Sequence, residues 1–133
     1  PMKRQESALQ IKSEAFATRI TELYLLSNKD ETESIIAKQV FKSGTSIGAN
    51  IAESKNAQSP ADFISKLSIA LKESGETEFW LKNLYNSGFL TEKEFKSIYK
   101  DNVETGKMLM ITRNHPMYLH GPAPTSAGTL LGI

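Results

Sequence analysis

SGTSIGANIAES, residues 43–54, decides the fold. It lies inside a long periodic segment, 31–56, and holds two glycines, four hydroxyl residues and Asn50. A glycine in a helix interior costs about 1 kcal/mol relative to alanine, so Gly44 and Gly48, one turn apart, need a compensating gain. At about 100° per residue, Ile36, Val40, Ile47 and Ile51 gather within about 60°, with the glycines beside them. Phe41, Thr45 and Ala52 lie further round, while Gln39, Ser43, Ser46, Asn50 and Glu53 line the other flank. A helix that is apolar or small over so much of its girth is covered on two sides. Small residues four apart let a neighbouring backbone come close. One side faces the chain's own core. The second cover is expected from another protomer, in a closed homo-oligomer.

The same period runs outward in both directions. Leu9, Phe16, Ile20, Leu23 and Leu26 share a face over 3–27, before the break at 27–31. Ser59 as N-cap and Pro60 in the first turn open a third segment, 60–87, with Asp62 well placed near its positive end. Its core side carries Phe63, Leu67, Leu71, Leu81 and Leu84, and Gly88 suits the position after its end. Thr91 and Glu94 form a capping-box pattern for a fourth segment, 91–114, which is expected to bury Phe95, Ile98, Tyr99, Val103, Leu109 and Met110 and stops at Asn114-His115-Pro116. Four helices on short loops predict an all-α, antiparallel up-and-down four-helix bundle over 1–114. Residues 115–133 read as a flexible or extended C-terminal tail, rich in Gly, Pro, Ala, Ser and Thr. Its apolar tip, Leu130, Leu131 and Ile133, has the form of a short docking motif.

Composition narrows the chemistry. The 133 residues include no cysteine, which excludes disulfides and thiolate catalysis. Sixteen basic and fifteen acidic side chains give a formal charge of +1, too little for a global pull toward nucleic acid or anionic lipid. No apolar run reaches the roughly 18 residues of a membrane span, and residues 1–7 lack the apolar stretch of a secretory signal. A cytoplasmic protein with no membrane partner is expected.

Two blocks carry a resemblance. S-I-G-A-N-I-A-E (46–53) and F-I-S-K-L-S-I-A-L-K-E-S-G-E-T-E (63–78) resemble the signature blocks of the four-helix proteins encoded in intervening sequences of bacterial 23S ribosomal RNA genes. The accessory variability protein of diversity-generating retroelements is a relative of that family. The matching positions are Ser46, Asn50, Ile51, Ala52, Glu53, Phe63, Leu67, Ala70, Ser74, Glu76 and Glu78. The resemblance implies an up-and-down monomer assembled as a homopentameric ring with a central channel, and a role alongside nucleic acid or a nucleic-acid-handling protein. The retroelement relative is strongly basic, whereas this chain is near neutral.

No catalytic constellation is present, and neither an enzyme activity nor a cofactor is expected. His115 and His120 stand at or beyond the last helix, so the inward Glu-x-x-His pairs of a di-iron bundle are missing. Glu53, Glu76 and Glu78 offer carboxylates alone, a poor set for a transition metal. Asn50 and Glu53 are expected to hydrogen-bond to Ser74, Thr77 or a carboxylate on the third helix, fixing register between helices. Phe79 and Trp80, adjacent on the third helix, point to different faces, one toward the core and one toward an interface. For nucleic acid, Lys93, Lys96, Lys100 and Lys107 fall within about 60° on the fourth helix and could meet phosphates. The sequence therefore predicts a non-enzymatic homo-oligomeric scaffold or adaptor, with RNA, DNA or a nucleic-acid-handling protein as partner. The alternative is a protein-interaction module that docks through its C-terminal tip.

Overall fold

The computed structural model describes residues 2–26 and 31–115. They form four helices: α1 (Met2–Leu26), α2 (Glu31–Ser54), α3 (Pro60–Asn86) and α4 (Glu92–Arg113), with no strand among the described residues. Each helix packs against its neighbours in the order α1–α2–α3–α4, and α4 returns to α1 in the least extensive contact. Neighbours run antiparallel, because the pairs that meet have falling numbers on one side and rising numbers on the other: Lys12 with Glu104 and Arg19 with Ser97, Ser43 with Thr77 and Glu53 with Lys66.

The helix ends follow local chemistry. Ser59 accepts from the Asp62 amide at 3.0 Å and Pro60 occupies the first turn, where its missing N–H costs nothing. Thr91 and Glu94 satisfy each other's orphan amides at 3.1 and 2.9 Å. Gly88, at φ +88°, closes α3: its amide donates to Tyr85 O and that of Phe89 to Leu84 O, a turn that a side chain with Cβ adopts only under strain. Asn114 caps α4 one residue past its end.

The core is Leu9, Phe16, Ile20, Val40, Ile47, Ile51, Phe63, Leu67, Leu81, Leu84, Ile98 and Leu109, with Ala37, Ala70 and Leu90. Leu23, Ile36, Leu71, Phe95 and Trp80 pack against it from the side. Four expected core residues stand outside it. Leu26, at the end of α1, is 81% exposed, and Met110, rotated off the Ile98–Leu109 line of α4, is 49% exposed; Tyr99 and Val103 are half-buried on the flanks of that line. The core face of α4 instead takes Asn102, Thr105 and Thr112 between its apolar residues.

Candidate functional site

The glycines of α2 face α1 of the same chain. A Cβ on Gly44 would lie 3.0 Å from Ile20 Cγ2 and 3.1 Å from Cγ1; one on Gly48 would lie 3.4 Å from the Ser13 carbonyl oxygen. Their gain is therefore close approach of α1 to α2, reinforced by the stacked rings of Tyr24 and Phe41 at 4.8 Å. This corrects the expectation that a second protomer presses on that flank. The reason is geometric: the apolar face of α1 fills the space that the missing side chains leave.

The polar flank of α2 meets α3. Ser43 is buried, donates to Gln39 O at 3.0 Å, and lies 2.9 Å from Thr77 Oγ1. Thr77 also reaches Glu73 O at 2.8 Å, so its single proton serves one acceptor at a time. Asn50 turns back on its own helix, donating to Ser46 O at 2.9 Å and Ser46 Oγ at 3.1 Å. Glu53 crosses to Lys66 at 3.1 Å, an exposed pair that raises the lysine pKa through the hydrogen bond. Neither expected cross-seam contact forms: Glu53 reaches a lysine instead of Ser74, Thr77 or a carboxylate, and Asn50 bonds within its own helix, because Ser74 and Thr77 are taken by Asn102 and Ser43.

On α3, Ser74 and Asn102 of α4 form a buried reciprocal pair: Ser74 Oγ donates to Asn102 Oδ1 at 2.9 Å, and Asn102 Nδ2 to Ser74 O at 3.0 Å. Such a pair is tolerated inside because both partners are satisfied, and it fixes the axial register of α3 on α4. Gly106 gives Ser74 its room, since a Cβ there would lie 3.3 Å from Ser74 Oγ. Glu76 accepts from Trp80 Nε1 at 3.3 Å, and Glu78 pairs with Lys82 at 3.1 Å. The three carboxylates of Glu53, Glu76 and Glu78 thus go to separate partners, and no metal-holding group of acids or histidines occurs among the described residues. Phe79 is 60% exposed and Trp80 half-buried against the core, the division expected of two adjacent aromatics. Their rings meet edge to face at 5.0 Å.

Lys93, Lys96, Lys100 and Lys107 are all exposed on the outer face of α4. Lys96 pairs with Glu92 at 2.7 Å, while the other three form no ion pair among the described residues. Two acids of α4, Asp101 and Glu104, turn the other way, onto α1. Lys12 reaches Glu104 at 2.8 Å and Asp101 at 3.3 Å, and Arg19 reaches Asp101 at 2.7 Å and Ser97 Oγ at 2.7 Å. Burial pushes the Asp101 carboxyl up, but hydrogen bonds from Arg19 and Lys12 outweigh it and hold the group below its usual value of 3.8. The hydrogen bond to Glu104, against desolvation, raises Lys12 above 10.5.

A cleft of about 90 Å³ opens between α1 and α4, lined by Ala8, Met108, Ile111 and Thr112. Small-molecule sites run from roughly 300 Å³ and converge polar groups, so this cleft is not a substrate site. His115 lies with Nδ1 2.8 Å from Ile111 O at the end of α4. His120 and the proposed tip, Leu130, Leu131 and Ile133, lie outside the described residues.

The family model for the 23S rRNA-intervening sequence protein matches residues 5–110, which spans all four helices. The chain belongs to that family. Among solved structures, a protein of unknown function from the S23 ribosomal protein family of Bacteroides thetaiotaomicron VPI-5482 is 44% identical. It superposes with a TM-score of 0.79 over 83% of this chain and 98% of that one. No curated protein matches. No helix among the described residues is long and apolar enough to cross a membrane.

Sequence reasoning missed the pairing of Ser43 with Thr77 and of Ser74 with Asn102. The signal was present: Asn102 and Thr105 fall in phase with Ile98 and Leu109, where a polar residue survives only with a buried partner.

Proposed function

We propose that the chain is a non-enzymatic, cytoplasmic, homo-oligomeric helical scaffold. One observation carries this reading: large apolar side chains stand on the outer faces of helices whose core is already complete. Ile11 is 68% exposed, Leu25 74% and Phe79 60%, and Met110 and Ile111 lie open on α4. Meanwhile no buried side-chain polar atom lacks a partner among the described residues, so no unmet demand inside the bundle explains them. Apolar groups spread over several outer faces suit contact with further copies. A pentameric ring is the form implied by the family resemblance. Native mass spectrometry of protein purified with its nucleic acid retained tests both parts: repeated copies support the scaffold, and single chains at every concentration refute it.

A second reading, contact with RNA, rests on Lys93, Lys100 and Lys107, three exposed cations without an ion-pair partner among the described residues. Copies in a ring would repeat that charge, and binding would fall steeply with salt as counterions are released. Structured RNA that binds without a salt slope, or not at all at low salt, ends this reading. The tail offers the alternative of docking through Leu130, Leu131 and Ile133. Deleting residues 121–133 abolishes partner capture in that case and leaves it unchanged if the helices bind.

A further inference from the structure

We infer that the outer stripe of α1 docks on the outer stripe of α4 of a second copy, an interface that rests on the homo-oligomeric reading. The α1 stripe is Ile11, Glu14, Thr18, Glu22 and Leu25, all exposed. The α4 stripe is Lys96, Lys100, Val103, Lys107 and Met110, exposed except for the half-buried Val103. Each set falls within about 80° on an ideal helix, and each extends about 21 Å along it.

Laid antiparallel, the two stripes match step for step. Ile11 stands opposite Met110, Glu14 opposite Lys107, Thr18 opposite Val103 and Glu22 opposite Lys100, with Leu25 against the aliphatic stem of Lys96. The spacings agree because the intervals of three and four residues alternate compatibly in both helices. Among the described residues Glu22, Lys100 and Lys107 form no ion pair within the chain, and Glu14 accepts from the uncharged Gln10 at 3.1 Å; Lys100 has the Glu104 carboxylate nearby without closing a salt bridge to it. The acids and bases of the α1–α4 seam are already engaged with one another, through Lys12, Arg19, Asp101 and Glu104.

The same stripes argue against self-pairing. An antiparallel α1–α1 contact puts Glu14 near Glu22, and an α4–α4 contact puts Lys100 near Lys107, and like charges across an interface are repelled. Each copy therefore gives one stripe and receives the other. That heterologous contact propagates head to tail and closes into a ring when the rotation allows.

The chain has no cysteine, which makes cross-linking direct. Co-expressed I11C and M110C chains form a disulfide-linked dimer on mild oxidation, neither variant links alone, and the doubly substituted I11C/M110C chain links into the full assembly. In parallel, E14K/E22K and K100E/K107E each weaken low-salt association about tenfold or more, and all four together restore it. Circular dichroism confirms that the exposed substitutions leave the helices intact. An oligomeric wild type with no I11C–M110C link, or with I11C linking to itself, overturns the interface and spares the oligomer. A wild type that stays a single chain overturns the oligomer first. Protection of Lys100 and Lys107 from acylation by RNA but not by assembly assigns the stripe to phosphate and overturns the inference.

Discussion

Alanine at Gly44 and at Gly75 separates close packing from mere helix propensity. Both are helix-interior glycines, and alanine at either gains about 0.5–1 kcal/mol from the backbone alone. At Gly75 the added methyl meets nothing within 4 Å, so Gly75→Ala keeps the whole gain. At Gly44 the methyl arrives 3.0 Å from Ile20 Cγ2, 3.1 Å from Cγ1 and 3.4 Å from Cβ. Ile20 is fully buried and β-branched, with one favoured rotamer in a helix, so it cannot swing clear. Overpacking of this kind costs about 1–3 kcal/mol, which leaves Gly44→Ala about 1 kcal/mol below the wild type after the propensity gain. In a domain of this size that is a drop of about 4 °C in Tm, against a rise of about 2–4 °C for Gly75→Ala. Urea and thermal unfolding followed by circular dichroism, at one fixed protein concentration, resolve both. If Gly44→Ala rises as far as Gly75→Ala, α1 does not lie against α2 as described.

Other perturbations follow the same contacts. Gly48→Leu drives a branched side chain into the α1 backbone near Ser13 and lowers unfolding stability by about 1–3 kcal/mol or more, with α1 amides losing hydrogen-exchange protection first. Asn102→Ala strips Ser74 Oγ of its acceptor and Ser74 O of a donor in a buried site, at a cost of about 2–3 kcal/mol in chemical denaturation. Asp101→Asn removes a carboxylate whose folded pKa is depressed. Its stabilising effect is therefore present above about pH 3.8 and lost as pH falls through the lower folded value. The stability gap between wild type and Asp101→Asn, read by urea midpoints, stays constant near neutrality and closes in acid; a gap that persists at low pH assigns the loss to packing instead.

The helices were legible because their ends are written in local chemistry: Ser59-Pro60, Thr91 with Glu94, Gly88 and Asn114 act within a turn of themselves. The core was legible wherever a large apolar residue kept phase, as at Phe16, Ile47, Leu67 and Leu109. It failed at Leu26, Tyr99, Val103 and Met110, where periodicity marks a face but not how far the neighbouring helix reaches. The glycines show the same limit from the other side. Their spacing announced a close approach, yet nothing in residues 43–54 says which backbone approaches, and only the position of Ile20 and Ser13 resolves it. For the candidate site, the outward lysines of α4 were readable from helical phase alone. The partners of Ser43, Ser74 and Asp101 were not, since each lies on another helix, from 28 to 89 residues away in sequence.

Sedimentation velocity of the wild-type chain across a wide concentration range, at low and high salt, bears most directly on the scaffold. A homo-oligomer held partly by the α1 and α4 stripes sediments as a discrete multiple of 14.7 kDa at low salt and dissociates as salt rises. A single 14.7 kDa species under every condition contradicts it.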